Sequence, residues 1–444
     1  MIRATIHPFP SAYPFWVALI LAAMLAAAAR GDDFDRPPID YSNATPVNRV
    51  ERLRSRLKSG EVQLAFEEHF GYLRSILREL GVPESSQSLV FSKTSLQRHR
   101  IAPRMPRSLY FNDDVYVGFC QRGDVLEFSA VDPHLGTVFY TLDQEPAEKP
   151  RLVRQGDNCL ICHGSTPTRG VPGHLVRSVF TDRTGQPILS ASNFRIDHTS
   201  PLEKRWGGWY VTGTHGAQPH MGNLTTTSRD AQLPVDNPDG MNLTSLARRI
   251  DTGAFLTPHS DIVALMVLEH QAEGQNLMTQ ASFQTRVALY QEEEINRILK
   301  AAPSQRSEST TRRIAAVAEP LVKYFLFSGE AALTDQVRGT SGFAEEFAAR
   351  GPRDSQGRSF REFDLKRRMF RYPCSYLIYS DAFDALPKPV HEYIARRFGE
   401  VLSGSDQSKE FAHLSAADRA AIAAILRATK PTLAPPSDDS TEPR

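Results

Sequence analysis

Cys159-Leu160-Ile161-Cys162-His163 is the stretch from which the rest of the chain is read. Its C-x-x-C-H order is the attachment signature of a c-type haem. Two thiols spaced by two residues can each bond one vinyl group of a porphyrin, and the adjacent imidazole is placed to coordinate the iron from one face. Cys159 and Cys162 are the candidate anchors, and His163 is the candidate proximal iron ligand. Two other chemistries use the same pair of thiols. Half of a zinc site would need a second pair, but Cys120 and Cys374, the two other cysteines, stand alone. A thioredoxin-like redox pair would need a βαβ setting, which the flanking pattern does not offer. No second C-x-x-C-H occurs, so the expected cofactor is one haem c per chain.

On the N-terminal side of the motif the sequence reads in period two. Val115, Val117 and Phe119 alternate with Tyr116 and Gly118, and Val125–Phe128 and Thr137–Tyr140 are two further short runs. Arg122-Gly123-Asp124 and Asp132–Gly136 are the turns between them, so Leu89 to Leu142 reads as an antiparallel meander. Beyond the motif, Leu175–Phe180 and Pro187–Phe194 flank Asp182-Arg183-Thr184-Gly185, the composition of a hairpin. Further upstream, apolar residues at three- and four-residue spacing from Leu64 to Leu80 predict a helix within Val47–Leu80, stopped by Gly81-Val82-Pro83.

Downstream, Arg205–Gly216 and His220-Met221-Gly222-Asn223 interleave tryptophans and glycines with two histidines and a methionine. Glycines permit close backbone approach to a bulky planar group, and indoles make good walls for it. Met221, His220 and His215 are therefore the candidates for the distal iron ligand, with Met241, Met266 and His174 as competitors. A tight, aromatic-packed β segment explains the same residues without a ligand role. Thr257-Pro258 predicts a helix start, with Ile262–Leu268 buried nearly all round and His259 and His270 on one face. Further helices are expected at Phe283–Leu299, Ala315–Phe327, Pro389–Leu402 and Ala416–Thr429.

The N-terminus reads as a secretory signal: Arg3, a continuous apolar run from Trp16 to Ala29, and a small-residue end at Ala27-Ala28-Ala29. Fourteen apolar residues are short for a bilayer span, so cleavage and a periplasmic or otherwise exported, soluble product are expected, with no stable membrane span. Composition is that of a globular chain, 41% hydrophobic and 23% charged over 444 residues. A net charge of +1 gives no electrostatic reason for nucleic-acid binding. Four cysteines do not make a disulfide scaffold, and Cys120 and Cys374 are open to pairing or to separate burial.

The export signal together with C-x-x-C-H resembles the c-type cytochrome superfamily. Cys159–Gly164 followed by Asp182-Arg183-Thr184-Gly185 and a returning strand is similar to the periplasmic c-haem sensor family, which attaches haem within a PAS-like antiparallel sheet. The absence of a following transmembrane segment and signalling module departs from those sensors. The resemblance implies one-electron transfer to a redox partner protein, by an electron carrier rather than a catalyst. The alternatives are a haem-based sensor or small-ligand-binding protein with an open distal site, or a haem enzyme acting on peroxide or a small inorganic substrate. The expected fold is α+β, an antiparallel meander carrying the haem between an N-terminal helical segment and a mostly helical C-terminal half. The expected divisions are a signal peptide at 1–29, a flexible leader at 30–46, a helix plus β-rich haem c domain at 47–255, a mostly helical region at 256–430, and a disordered tail at 431–444.

Overall fold

The computed structural model describes residues 33–227, 233, 235–302 and 304–435, so the expected signal peptide lies outside the described residues. The chain is α+β. Six strands, β1 (Ser88–Val90), β2 (Arg107–Phe111), β3 (Val115–Phe119), β4 (Val125–Asp132), β5 (Gly136–Asp143) and β6 (Leu152–Gln155), pair in sequence order as one antiparallel meander. The alternation of the sequence sets its two faces. Val115, Val117, Leu126, Phe128, Val138 and Leu142 are buried on one of them, against helices α1 (Arg49–Ser59) and α2 (Leu73–Leu80).

The expected helix within Val47–Leu80 is two helices. Gly60, at φ 79, caps the first by donating to Arg56 and Leu57 carbonyls. The link to α2 is held by reciprocal Glu67 and Gly71 backbone bonds of 2.9 and 2.8 Å. A left-handed glycine stops a helix that the apolar spacing alone would continue.

The stretch expected to be a flexible leader packs from Phe34 onward: Phe34, Ile39 and Tyr41 are buried, and the Tyr41 hydroxyl donates to the Thr137 carbonyl at 2.8 Å. Three large apolar side chains in a polar stretch are enough to anchor it. At the other end, Leu433 is also buried, so the tail expected from 431 is packed at its start; 436–444 lie outside the described residues.

Helix α3 (Asp157–His163) carries the motif directly after β6. A short pair, β7 (Arg177–Ser178) with β8 (Phe194–Arg195), and a Thr181–Pro187 bridge make the expected hairpin. The C-terminal half is helical: α4 (Ile262–Leu299), α5 (Glu308–Phe325), α6 (Phe343–Ala349), α7 (Asp381–Asp384), α8 (Lys388–Leu402) and α9 (Ala416–Thr429). Among the described residues no helix is long and apolar enough to cross a membrane.

Helix α4 runs 38 residues, fusing the two helices expected around 262–268 and 283–299. It begins at Asp261, not at Thr257-Pro258, so His259 precedes the helix and does not share a face with His270. Ile262, Val263, Leu265 and Val267 are fully buried, each contributing roughly 1.5–3 kcal/mol relative to exposure. The main core joins α4 to Val90, Phe111, Tyr116, Trp206 and Trp209, so packing runs across the boundary expected at 255/256.

Asp261 explains the start. One carboxylate oxygen accepts from the N–H groups of Val263 and Ala264, and the other from Thr340 N, Ser341 N and the Ser341 hydroxyl. It therefore caps α4 and pins the segment before α6 in one buried position. Asp261→Ala is expected to lose about 2–4 kcal/mol, a cap plus newly unsatisfied donors, measured as a shift in the urea midpoint at constant slope.

Candidate functional site

Residues three and four apart on a helix share a face, and α3 places Cys159, Cys162 and His163 in that way. Leu160 is buried and roots the helix in the core under the sheet, while Ile161 is 74% exposed. Cys159 is half-buried and Cys162 exposed, and both are free thiols. Burial pushes the Cys159 thiol up to about 11, so it is held as the neutral thiol. Cys120 and Cys374 are buried and unpaired.

His163 is clamped from both ends by one residue. The Gly173 N–H donates to the His163 carbonyl at 2.8 Å, and the Gly173 carbonyl lies 2.9 Å from His163 Nδ1. A carbonyl oxygen only accepts, so Nδ1 carries the proton and Nε2 keeps its lone pair. Nε2 makes no hydrogen bond among the described residues. Burial holds this imidazole below its ordinary value, opposed by the Gly173 bond, so it stays neutral. Metal-ligating histidines use this arrangement, donating one ring N–H to a carbonyl while the other nitrogen faces the metal.

Gly173 is itself fixed by α4. Asn276 accepts from His174 N at 2.8 Å and donates to His174 O at 2.7 Å. A Cβ at position 173 would come 2.2 Å from the Asn276 side-chain oxygen, so only glycine fits. The Thr168 hydroxyl sits among the carbonyls of His163, Ser165 and Val171 and closes the turn between motif and clamp.

The imidazole stands over the sheet, its ring 4.9 Å from that of Phe139. Strand register puts Phe139 in a row with Tyr116 and Ser129, and the next row holds Gly118, Glu127 and Thr141 on the same face. Arg107 lies across Gly118, where a Cβ would meet its guanidinium at 2.1 Å, and donates to Glu127 at 2.6 Å. Gln97 supports Glu127 from the other side at 3.0 Å. Arg107 and Glu127 act on His163 through their charges in opposite directions, and Glu127 also acts on Cys159. The motif thus faces a polar end of the sheet with a fixed ion pair.

The distal candidates lie together in another place. Met221 is buried, its sulfur accepting from the Ser178 hydroxyl at 3.5 Å. His215 has both nitrogens engaged, Nδ1 donating to the Gln218 carbonyl at 2.8 Å and Nε2 accepting from Asn242 N at 3.0 Å. His220 accepts from Gly222 N at 2.9 Å, and its Nε2 is buried without a partner. The His220 ring lies 4.6 Å from His215 and 5.4 Å from Trp206. No hydrogen bond, ion pair or ring contact joins these three residues to Cys159–His163 among the described residues. The histidine beside the motif is His174, held between the Ser129 hydroxyl at 3.0 Å and the Thr137 hydroxyl at 3.3 Å. Burial, then the neighbouring His163, push it down to about 3.

Sequence reasoning missed Phe139, Gly173, Asn276 and the Arg107–Glu127 pair. Only the Pro172-Gly173 dipeptide carried a local signal, that of a turn. It also missed His198, whose Nδ1 lies 2.8 Å from that of His270, deep in the helical half. His270 reaches the Ser375 hydroxyl at 2.9 Å, which makes it a satisfied core histidine.

Among the described residues no three His, Cys, Asp or Glu side chains converge to hold a bare metal ion. The thiols and imidazole of α3 are spread along one helix face, as anchors for a larger group are. No protein-family model, no curated protein and no solved structure matches the chain.

Proposed function

We propose that this is an exported protein that carries one haem c and passes single electrons to and from a redox partner protein. Cys159 and Cys162 would hold the haem as thioethers and His163 would be its proximal ligand. Each thiol would add across one vinyl double bond, sulfur to one carbon and hydrogen to the other, with no leaving group. The observation that carries this reading is the His163 clamp: a neutral imidazole with Nδ1 tied to Gly173 O and Nε2 free, on the helix face of two unpaired thiols. Bound haem supplies a one-electron couple. The residues do the rest. Gly173 fixes the tautomer and raises the basicity of Nε2, Phe139 sets the plane of the ring, and the Arg107–Glu127 pair fixes charge beside it.

A second reading, a haem-based sensor or ligand-binding protein or a haem enzyme with an open sixth position, is favoured by one observation. Among the described residues Met221, His220 and His215 make no hydrogen bond or ring contact with the motif, and His174 has both ring nitrogens beside hydroxyls.

Absorption spectra of oxidised and reduced protein, with and without carbon monoxide, separate the two. An electron carrier ligated by Met221 is expected to show the far-red charge-transfer band of Met-ligated ferric haem, lost in Met221→Leu. Immediate carbon monoxide binding by the reduced protein, with no such band, selects the open site. A protein exported from a host with haem-ligation machinery and carrying no haem spectrum refutes both.

A further inference from the structure

Residues 91–107, which run from β1 into β2, carry Lys93, Arg98, His99, Arg100, Arg104 and Arg107 and no carboxylate. Hydrogen bonds fix this stretch against two turns. The Gln97 side chain accepts from Asp124 N at 2.8 Å and donates to the Val125 carbonyl at 2.9 Å, which holds it on the Arg122-Gly123-Asp124 turn between β3 and β4. Lys93 N donates to the Gly185 carbonyl at 2.9 Å, which holds it on the Asp182–Gly185 turn between β7 and β8. Reciprocal bonds of 3.1 and 2.9 Å between Ala102 and Met105 close a tight turn that presents Arg104. A Cβ on Gly185 would come 3.3 Å from Pro103 Cδ, so that turn also lies against the Asp182–Gly185 turn.

Arg122 and Arg183 thereby join the five lysine and arginine side chains of 91–107. The carboxylates of the same three segments are already engaged. Asp124 pairs with Arg100 at 2.7 Å and Glu127 with Arg107 at 2.6 Å, while Asp182 accepts from Thr184 N and Gln186 N of its own turn at 2.8 and 3.0 Å. Arg98, Arg104, Arg122 and Arg183 are exposed and make no side-chain hydrogen bond or ion pair among the described residues. Asp143, opposite Val125 across β4 and β5, and Glu145 beyond it flank this face on one side, and the seven cations outnumber all five carboxylates. The chain as a whole carries only +1, so the excess belongs to this face.

Leu96 and Met105, 54% and 38% exposed, stand among the arginines. Arginine and methionine are enriched at protein–protein interfaces and lysine is depleted, and Lys93 is the one lysine among these seven cations. Guanidinium forks match carboxylates in paired hydrogen bonds. A bilayer or a nucleic acid presents phosphates at uniform density and would meet Asp124 and Asp182 as repulsion. A protein surface can alternate carboxylates with apolar groups and leave those two positions free of negative charge.

We propose that this three-loop face docks an acidic segment of a partner protein, with its carboxylates on Arg98, Arg104 and Arg122 and an apolar side chain on Leu96 and Met105. The inner edge of the face is the Arg107–Glu127 pair beside the motif, so a docked partner borders α3. The assignment needs no bound haem and is tested apart from that reading.

Fluorescence anisotropy of the purified full chain with a fluorescein-labelled peptide of alternating glutamate and leucine tests this, with the glutamine–leucine peptide as the neutral match. Saturable binding of the acidic peptide is expected, weakening steeply as added salt screens it, with the neutral peptide unbound. Arg98→Glu/Arg104→Glu exchanges two attractions for two repulsions and is expected to weaken binding about tenfold or more. Lys388→Glu/Arg427→Glu, on α8 and α9, makes the same change in net charge in the helical half and is expected to leave binding unchanged. All four positions are exposed, and unchanged urea midpoints verify that the variants fold. The salt dependence of the wild type needs no variant. Absence of saturable binding, equal binding of the neutral peptide, or equal losses in the two double variants overturns the assignment. Displacement of the peptide by phosphatidylglycerol vesicles or by a DNA duplex at lower concentration than by unlabelled peptide also overturns it, in favour of a lipid or a nucleic acid.

Discussion

Denatured and extracted with acid–acetone, the exported wild-type protein is expected to keep all of its haem, and Cys159→Ala/Cys162→Ala to release all that it binds. A thioether is a covalent bond, so loss of tertiary structure leaves it intact, whereas a haem held only by an imidazole and apolar contact leaves with unfolding. Each single cysteine variant retains one thioether and is expected to stay coloured after extraction, with the shifted pyridine haemochrome band of one unreacted vinyl. On the proposed reading, His163→Gly is expected to separate anchoring from ligation, the haem staying covalent while the spin state changes. The solvent-facing Cys162 and half-buried Cys159 sit on one helix face, so both sulfurs reach the same group. Complete loss of colour from the wild type on extraction would end the covalent reading.

The largest effect on stability is expected at Arg205. Its guanidinium pairs with Glu269 on α4 and donates to the carbonyls of Ser200 at 2.7 Å and His198 at 3.0 Å, with Arg205 and Glu269 side chains 3% and 0% exposed. One side chain thus ties the 198–205 loop to the central helix. Breaking a buried pair leaves its carboxyl without a partner, and Arg205→Met is expected to lose about 3–5 kcal/mol. Burial already pushes Glu269 up to about 8, with Arg205 as the main force holding it down. A carboxyl raised on folding binds its proton more tightly in the folded state, so its stability contribution is present below the ordinary value of 4.5 and is lost as pH rises towards 8. Without Arg205 the carboxyl rises further, so Arg205→Met should be worse relative to wild type at pH 8 than at pH 5. Arg205→Met/Glu269→Gln should recover part of the loss. Urea unfolding at both pH values measures this, and a loss below about 1 kcal/mol for Arg205→Met would show that the pair does not hold the loop.

The parts of this protein legible in its sequence are those that depend on short stretches of chain. The spacing of Cys159, Cys162 and His163 needs only one helical turn, and the period-two runs from Val115 to Tyr140 need only a pleated strand. The meander came through, as did the closing helix at Ala416–Thr429. Where a local backbone preference competes with apolar spacing, the pattern misleads. Gly60 ends a helix that Leu64 to Leu80 would continue, and Asp261 starts one where Thr257-Pro258 offers an equally good opening.

The site's working geometry was decided by tertiary structure. The nitrogen His163 leaves free depends on the carbonyl of Gly173, ten residues on, and that carbonyl depends on Asn276, 102 residues beyond His174. Arg107 and Glu127 come beside the motif only through strand register, and Met221, His220 and His215 are drawn into a separate buried knot around Trp206. Sequence by itself determined which chemical groups stand at one turn's spacing, because helix and strand periods are properties of the local backbone. Only the folded chain decided which of those groups keep a free lone pair and what they face. A buried polar atom must find its partner wherever packing places one, at any distance along the chain.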